Sequence, residues 1–284
     1  MSRILLLLGI FLVMAAPVRS ADVMTTQTGF GSPAPVVAAD PDPLDRMLGE
    51  RQSFDIAFLW FDRLASGELS LVTTEETGRY RAVLEAKTLG LAAWLTRDRL
   101  QRYESLLRRG EDGRLLTISH SSTIFKGKGR KRRGRTKIYT FNYVDRLVEV
   151  SVERNGEISS GESLPMAEGE QPQDILAAFY NFRAGYYGPL RPGRNVRIPT
   201  FTRKGPSEIL IDVLTRSEWP KKLKIPEGDV LCRVTLDPEV FKTGGGKVYV
   251  WFNADRVPDG GVVEKVLGMG DVRGTRIKGS NNVQ

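Results

Sequence analysis

The chain has 284 residues, 40% of them hydrophobic, which is enough to bury a sizeable core without covalent staples. One cysteine, Cys232, excludes an intramolecular disulfide, and one histidine, His120, excludes most metal and triad arrangements written in sequence. The formal net charge of +8 is concentrated: residues 126–137 carry eight cations and no acid.

The N-terminus has one cation, Arg3, and then an apolar run over 4–16. That layout is a secretory signal, too short to span a bilayer, which needs roughly 20 apolar residues. Small residues at Val18 and Ser20 place the cut after Ser20, so the expected location is the periplasm. Without Arg3 and Arg19 the mature chain nets +6, and without residues 126–137 the remainder nets −2. The molecule is a nearly neutral body carrying one very basic segment.

Residues 21–51 are rich in Ala, Pro, Asp and Thr without a sustained period, and read as a flexible leader with one helical turn near 44–48. The ordered domain is expected over 52–279, with a short disordered tail at 280–284. Phe54, Ile56, Phe58 and Trp60 alternate along a first strand. Further strands are expected at 69–73, 80–86, 100–107 and 114–125, with a short helix at 89–95 and a turn at Glu111-Asp112-Gly113. The basic segment reads as a loop, after which 138–143 and 147–154 continue the meander. Residues 161–172 read as a polar connector. A helix follows, with Pro172 in its first turn, an apolar stripe of Ile175, Leu176, Phe179 and Phe182, and Gly185 at its end. Six more strands are expected at 195–201, 208–215, 229–236, 247–253, 262–267 and 272–278, with a turn at Asp259-Gly260. This order predicts a mainly β protein: a single curved antiparallel sheet or incomplete barrel with one helix plugging or capping it.

The residues exclude more chemistry than they suggest. His120 alternates with Ile118 and Ile124 and has no partner nearby in sequence, so it reads as a structural histidine. Cys232 alternates with Val230 and Val234 as a core residue. Thr243-Gly244-Gly245-Gly246-Lys247 lacks the hydroxyl residue and the following helix of a phosphate loop. No catalytic residue, metal ligand or cofactor is expected.

The candidates that remain concern binding. Lys126, Lys128, Arg130, Lys131, Arg132, Arg133, Arg135 and Lys137 form an anion-binding finger. Such a finger in the cytoplasm would suggest nucleic acid. Export redirects it to phospholipid headgroups, acidic glycans or peripheral contact with a membrane. Phe58, Trp60, Tyr139, Phe141 and Tyr143 are the candidate lining of a cavity for an amphipathic ligand such as a lipid or glycan. An assembly factor docking on an envelope protein is the second expectation, and a hydrolase with a carboxylate site the third.

Three stretches carry a family resemblance: 88–95 with Tyr103-Glu104-Ser105, the helix region 172–183, and 250–258 with Gly270-Asp271-Val272-Arg273. In their order and spacing the chain resembles the bacterial DUF3108 family of exported β proteins, a domain of unknown function. The resemblance implies a curved antiparallel sheet and transfers no activity and no site. It also sets the basic segment apart as this chain's main departure from the family pattern. Asp174 and Arg183 of the helix are expected to lock the fold.

Overall fold

The computed structural model describes residues 42–277, apart from 59–60, 91–92, 94–97, 128, 130–131, 155, 238–246 and 267–269. Period-two burial produces a first meander of eight strands: β1 (Arg51–Phe58), β2 (Phe61–Thr73), β3 (Arg79–Thr88), β4 (Leu100–Arg109), β5 (Leu115–Lys126), β6 (Arg133–Asn142), β7 (Leu147–Arg154) and β8 (Glu157–Pro165). The helix α1 (Ile175–Ala184) follows. A second meander comprises β9 (Asn195–Thr202), β10 (Gly205–Val213), β11 (Val230–Leu236), β12 (Val248–Phe252), β13 (Pro258–Val266) and β14 (Gly270–Arg276).

The 14 strands among the described residues form one antiparallel sheet, in the order β8-β7-β6-β5-β4-β3-β2-β1-β14-β13-β12-β11-β10-β9. The first and last strands pair, with Phe54 opposite Arg276. The two edges, β8 and β9, are therefore consecutive in sequence, and α1 is the connection between them. The edges are not hydrogen-bonded to each other, so the sheet stays open rather than closing into a barrel. It curls enough for β8 to touch β10. Phe141 and Val148 from one end pack with Phe201 from the other.

The curl encloses α1, and Ile175 to Arg183 are all buried. A helix buried on every side needs apolar residues nearly all round rather than a stripe, and its two buried exceptions, Asn181 and Arg183, are paired. It rests on β3, β4 and β5, and Phe182 meets Phe252 of β12 edge-on at 5.6 Å. Its start is Asp174, whose carboxylate accepts from Leu176 N and Ala177 N, so Pro172 lies before the cap and not in the first turn. Its end is Gly185 at φ 86°, a left-handed cap that suits glycine. Asn181 bonds Leu115 through both its amide groups at 2.8 Å, standing in for a neighbouring strand. The Tyr180 hydroxyl is fully buried with no partner among the described residues. Tyr180→Phe should therefore be neutral or stabilise by about 1 kcal/mol, read as the shift in urea midpoint.

Several expectations change. Residues 42–51 are not a free leader: Leu44 is fully buried, and Arg109 pairs with Asp42 and Asp45. The first five residues of the polar connector belong to β8, an edge strand polar because it pairs on one side only. The turn at Asp259-Gly260 forms earlier, where Asn253 Oδ1 accepts from Asp255 N and Val257 N, while Gly260 lies in β13. The helix expected at 89–95 falls largely outside the described residues.

The basic loop is the most consequential change. Pairing of Phe125 with Gly134 and Lys126 with Arg133 carries the β5–β6 ladder deep into it. The residues of 133–137 are strand, not loop. Gly134 permits this, since a Cβ there would stand 3.0 Å from the Phe125 ring.

Candidate functional site

Strand pairing sets side chains of β4, β5 and β6 in rows across the inner face. Gln101 opposes Ile124, which opposes Arg135. The next rows are Tyr103, Ser122 and Lys137, then Ser105, His120 and Tyr139. An irregularity in β5 makes this possible. Leu106 pairs with Ser119 but Leu107 with Thr117, so Ile118 is an extra residue. The bulge puts Thr117 and His120 on the same inner face, where uninterrupted alternation would have opposed them.

These rows form one wall of a cavity of about 360 Å³. The facing wall is Asp174 and Ile175 at the start of α1, with Thr200, Phe201, Thr202 and Arg203 at the end of β9. Tyr103, Tyr139, Phe141 and Phe201 make its apolar surface, and Arg135, Lys137 and Arg203 bring three cations to it. Gln101, 3% exposed, donates to the Tyr103 hydroxyl and leaves its carboxamide oxygen without a partner among the described residues. Burial pushes the Tyr103 phenol up to about 12, so it remains a neutral donor.

Beneath the cavity lies a buried polar cluster. Ser105 Oγ donates to Asp174 Oδ1 at 2.7 Å, and Thr117 Oγ1 donates to Asp174 Oδ2 at 2.6 Å. His120 Nδ1 is 2.9 Å from Ser105 Oγ and 3.3 Å from Asp174 Oδ1. Because the Ser105 proton is directed to the carboxylate, His120 Nδ1 is the donor in its contact with Ser105. The ring is stacked on Tyr103 at 6.0 Å and tilted against Tyr139 at 6.3 Å. Burial alone would push the Asp174 carboxyl up. The charge of His120 and hydrogen bonds from His120, Thr117 and Ser105 outweigh it and hold the group below its ordinary range.

A serine, a histidine and an aspartate in contact invite comparison with a hydrolytic triad, and the geometry opposes it. Serine and carboxylate both sit on Nδ1, and Ser105 is fully buried and does not line the cavity. The cluster ties α1 to β4 and β5. Among the described residues no group of three or more histidine, cysteine, aspartate or glutamate side chains is placed to hold a metal.

Of the residues expected to bind, Tyr139, Phe141, Arg135 and Lys137 line the cavity. They occupy alternate positions of β6, so the strand that replaced the loop also points two of its cations inward. Phe58 does not line it but packs in the main core, because its strand lies on the far side of β2, β3 and β4. Tyr143 lies beside the cavity, with its hydroxyl on Pro172 O at 3.0 Å and its ring on Phe141. Lys126 and Arg133 are exposed, and Arg132 is stacked over the Phe125 ring at 4.0 Å. Trp60, Lys128, Arg130 and Lys131 lie outside the described residues. Sequence reasoning missed Gln101, Tyr103 and the whole β9 wall. Alternation along β4 marks the first two as inward, whereas Arg203 and Phe201 face them only through the curl. Cys232 packs in the core as expected, and burial pushes its thiol up to about 12.

Neither a search of curated proteins nor a search of solved structures finds a match. A family model described as a protein of unknown function, DUF3108, matches residues 53–275, which is most of the chain and all but the outermost residues of the sheet, and the chain therefore belongs to that family.

Proposed function

We propose that this chain is an exported, non-enzymatic protein of the cell envelope that holds an anionic amphiphile on the inner face of its curved sheet. The single observation that carries the reading is the convergence of Arg135, Lys137 and Arg203 on a cavity walled by Tyr103, Tyr139, Phe141 and Phe201. Its volume of about 360 Å³ lies within the roughly 300–1,000 Å³ of small-molecule sites. The three cations exceed the one carboxylate in the lining, Asp174, whose oxygens are already engaged by the helix start and two hydroxyls. An anionic head is therefore favoured over a cationic one. The signal-like start of the chain supports an extracytoplasmic setting, where phospholipids and their acyl products supply such anions. Lys126, Arg132 and Arg133 flank the same strands outside the cavity. Each can add roughly 1 kcal/mol of attraction to an anionic membrane surface, favouring transfer to and from it.

The test is purification from native membranes, mass spectrometry of extracted lipid, and titration with a fluorescent fatty acid. An anionic lipid should co-purify. Arg135→Gln with Lys137→Gln should weaken the fatty acid at least tenfold, since a charge-assisted hydrogen bond is worth roughly 1.5–3 kcal/mol. Recovery of a glycan instead, or of no amphiphile with no binding in titration, would reject the reading.

A further inference from the structure

We infer that the cavity continues past Ile175 into the apolar void between α1 and the second meander, and that the two together take an amphiphile with an anionic head and a single alkyl chain. This rests on the reading above and narrows its ligand class.

Ile175 lines both spaces. The second void, about 40 Å³, is walled on the sheet side by Ile198, Ile209 and Ile211, with Val234 and Phe252 beyond them. It exceeds the roughly 15 Å³ that admits a water, yet its lining offers a water no partner, so it stays dry. A sugar would leave hydroxyls unpaired there, whereas methylenes lose nothing.

Both walls that join the two spaces change character in the same direction. The inner face of β9 runs from Thr202 and Thr200, in the cationic cavity, to Ile198 in the void. On α1 the run begins at Asp174 and continues through Ile175, Ala178, Phe179 and Phe182, spaced as one helical stripe. Seven residues of helix extend the path by roughly 10 Å. A polar, cationic end followed by a narrow apolar end is the outline of a head and one chain. The bore leaves no room for a second chain beside the first.

Calorimetric titration of the full chain with inorganic phosphate and a series of straight-chain alkyl phosphates tests this. Affinity should rise roughly fourfold per methylene and then level off once the void is filled. Ala178→Val and, on a strand far from the helix cap, Val234→Phe should each move the plateau to shorter chains by narrowing the void. If affinity rises with chain length but neither variant that folds shifts the plateau, the inference is overturned. The chain would then lie against Tyr139, Phe141 and Phe201, and the amphiphile reading would survive. If alkyl phosphates bind no better than inorganic phosphate, or nothing binds, both fall.

Discussion

Glu50→Ala should lower the unfolding free energy by about 3–5 kcal/mol, the cost of leaving a buried charge without its partner. That charge is Arg183, whose side chain is 3% exposed and whose guanidinium meets the Glu50 carboxylate twice, at 2.7 and 3.1 Å. Its Nε donates to Arg256 O at 3.3 Å, and its cation lies over the Phe179 and Tyr180 rings. The pair links the end of α1 to the segment that leads into β1, and Glu50 and Arg183 are 133 residues apart. Urea unfolding followed by far-ultraviolet circular dichroism reads the loss as a lower midpoint. A double variant, Glu50→Leu with Arg183→Met, should recover most of it, because apolar groups of similar size need no pairing. A loss below 1 kcal/mol in Glu50→Ala would mean that the charge reaches water.

Asp174→Ala should cost at least about 3 kcal/mol. Loss of a helix N-cap accounts for roughly 1 kcal/mol of that. The rest comes from the buried hydroxyls of Ser105 and Thr117, each left without an acceptor at roughly 1–3 kcal/mol. Asp174→Asn should be milder, at about 1–2 kcal/mol, because its amide oxygen still caps the helix. The pH dependence follows from the direction of the carboxyl shift. Asp174 is held below its ordinary range in the fold. Its contribution is therefore complete above the unfolded value of roughly 3.9 and is lost as pH falls through the lower folded value. The part of the stability gap between wild type and Asp174→Asn that the carboxylate's own titration carries should shrink as pH falls below about 4. A gap unchanged down to the acid transition would show that the carboxylate does not carry the stabilisation.

The two variants separate what a sequence can show from what it cannot. Alternation made the strands legible, because a residue's neighbours two positions away decide which face it takes. The helix was legible through Ile175, Leu176, Phe179, Phe182 and Gly185, and the domain's extent through its family pattern. Tyr139 and Phe141 were nominated from the same rule and Arg135 and Lys137 from the density of charge, as an aromatic face and a separate basic loop rather than one strand. What failed was local. Eight cations in twelve residues look like solvated loop, and only pairing across Gly134 shows that six residues of the segment are strand. His120 seemed to lack a partner because Asp174 is 54 residues away, and a bulge at Ile118 changed the face it occupies.

The sequence by itself thus determined the class of the fold, the positions of nearly all its strands and the exclusion of an intramolecular disulfide, since those depend on periodicity and composition, which are written along the chain. The tertiary structure alone decided that β1 and β14 pair, that α1 fills the curl, and that Arg203 faces Arg135 and Lys137 across an aromatic cavity. Those are contacts between residues far apart in the chain. No local preference specifies them, and they arise because burying α1 on every side requires both meanders to bend around it.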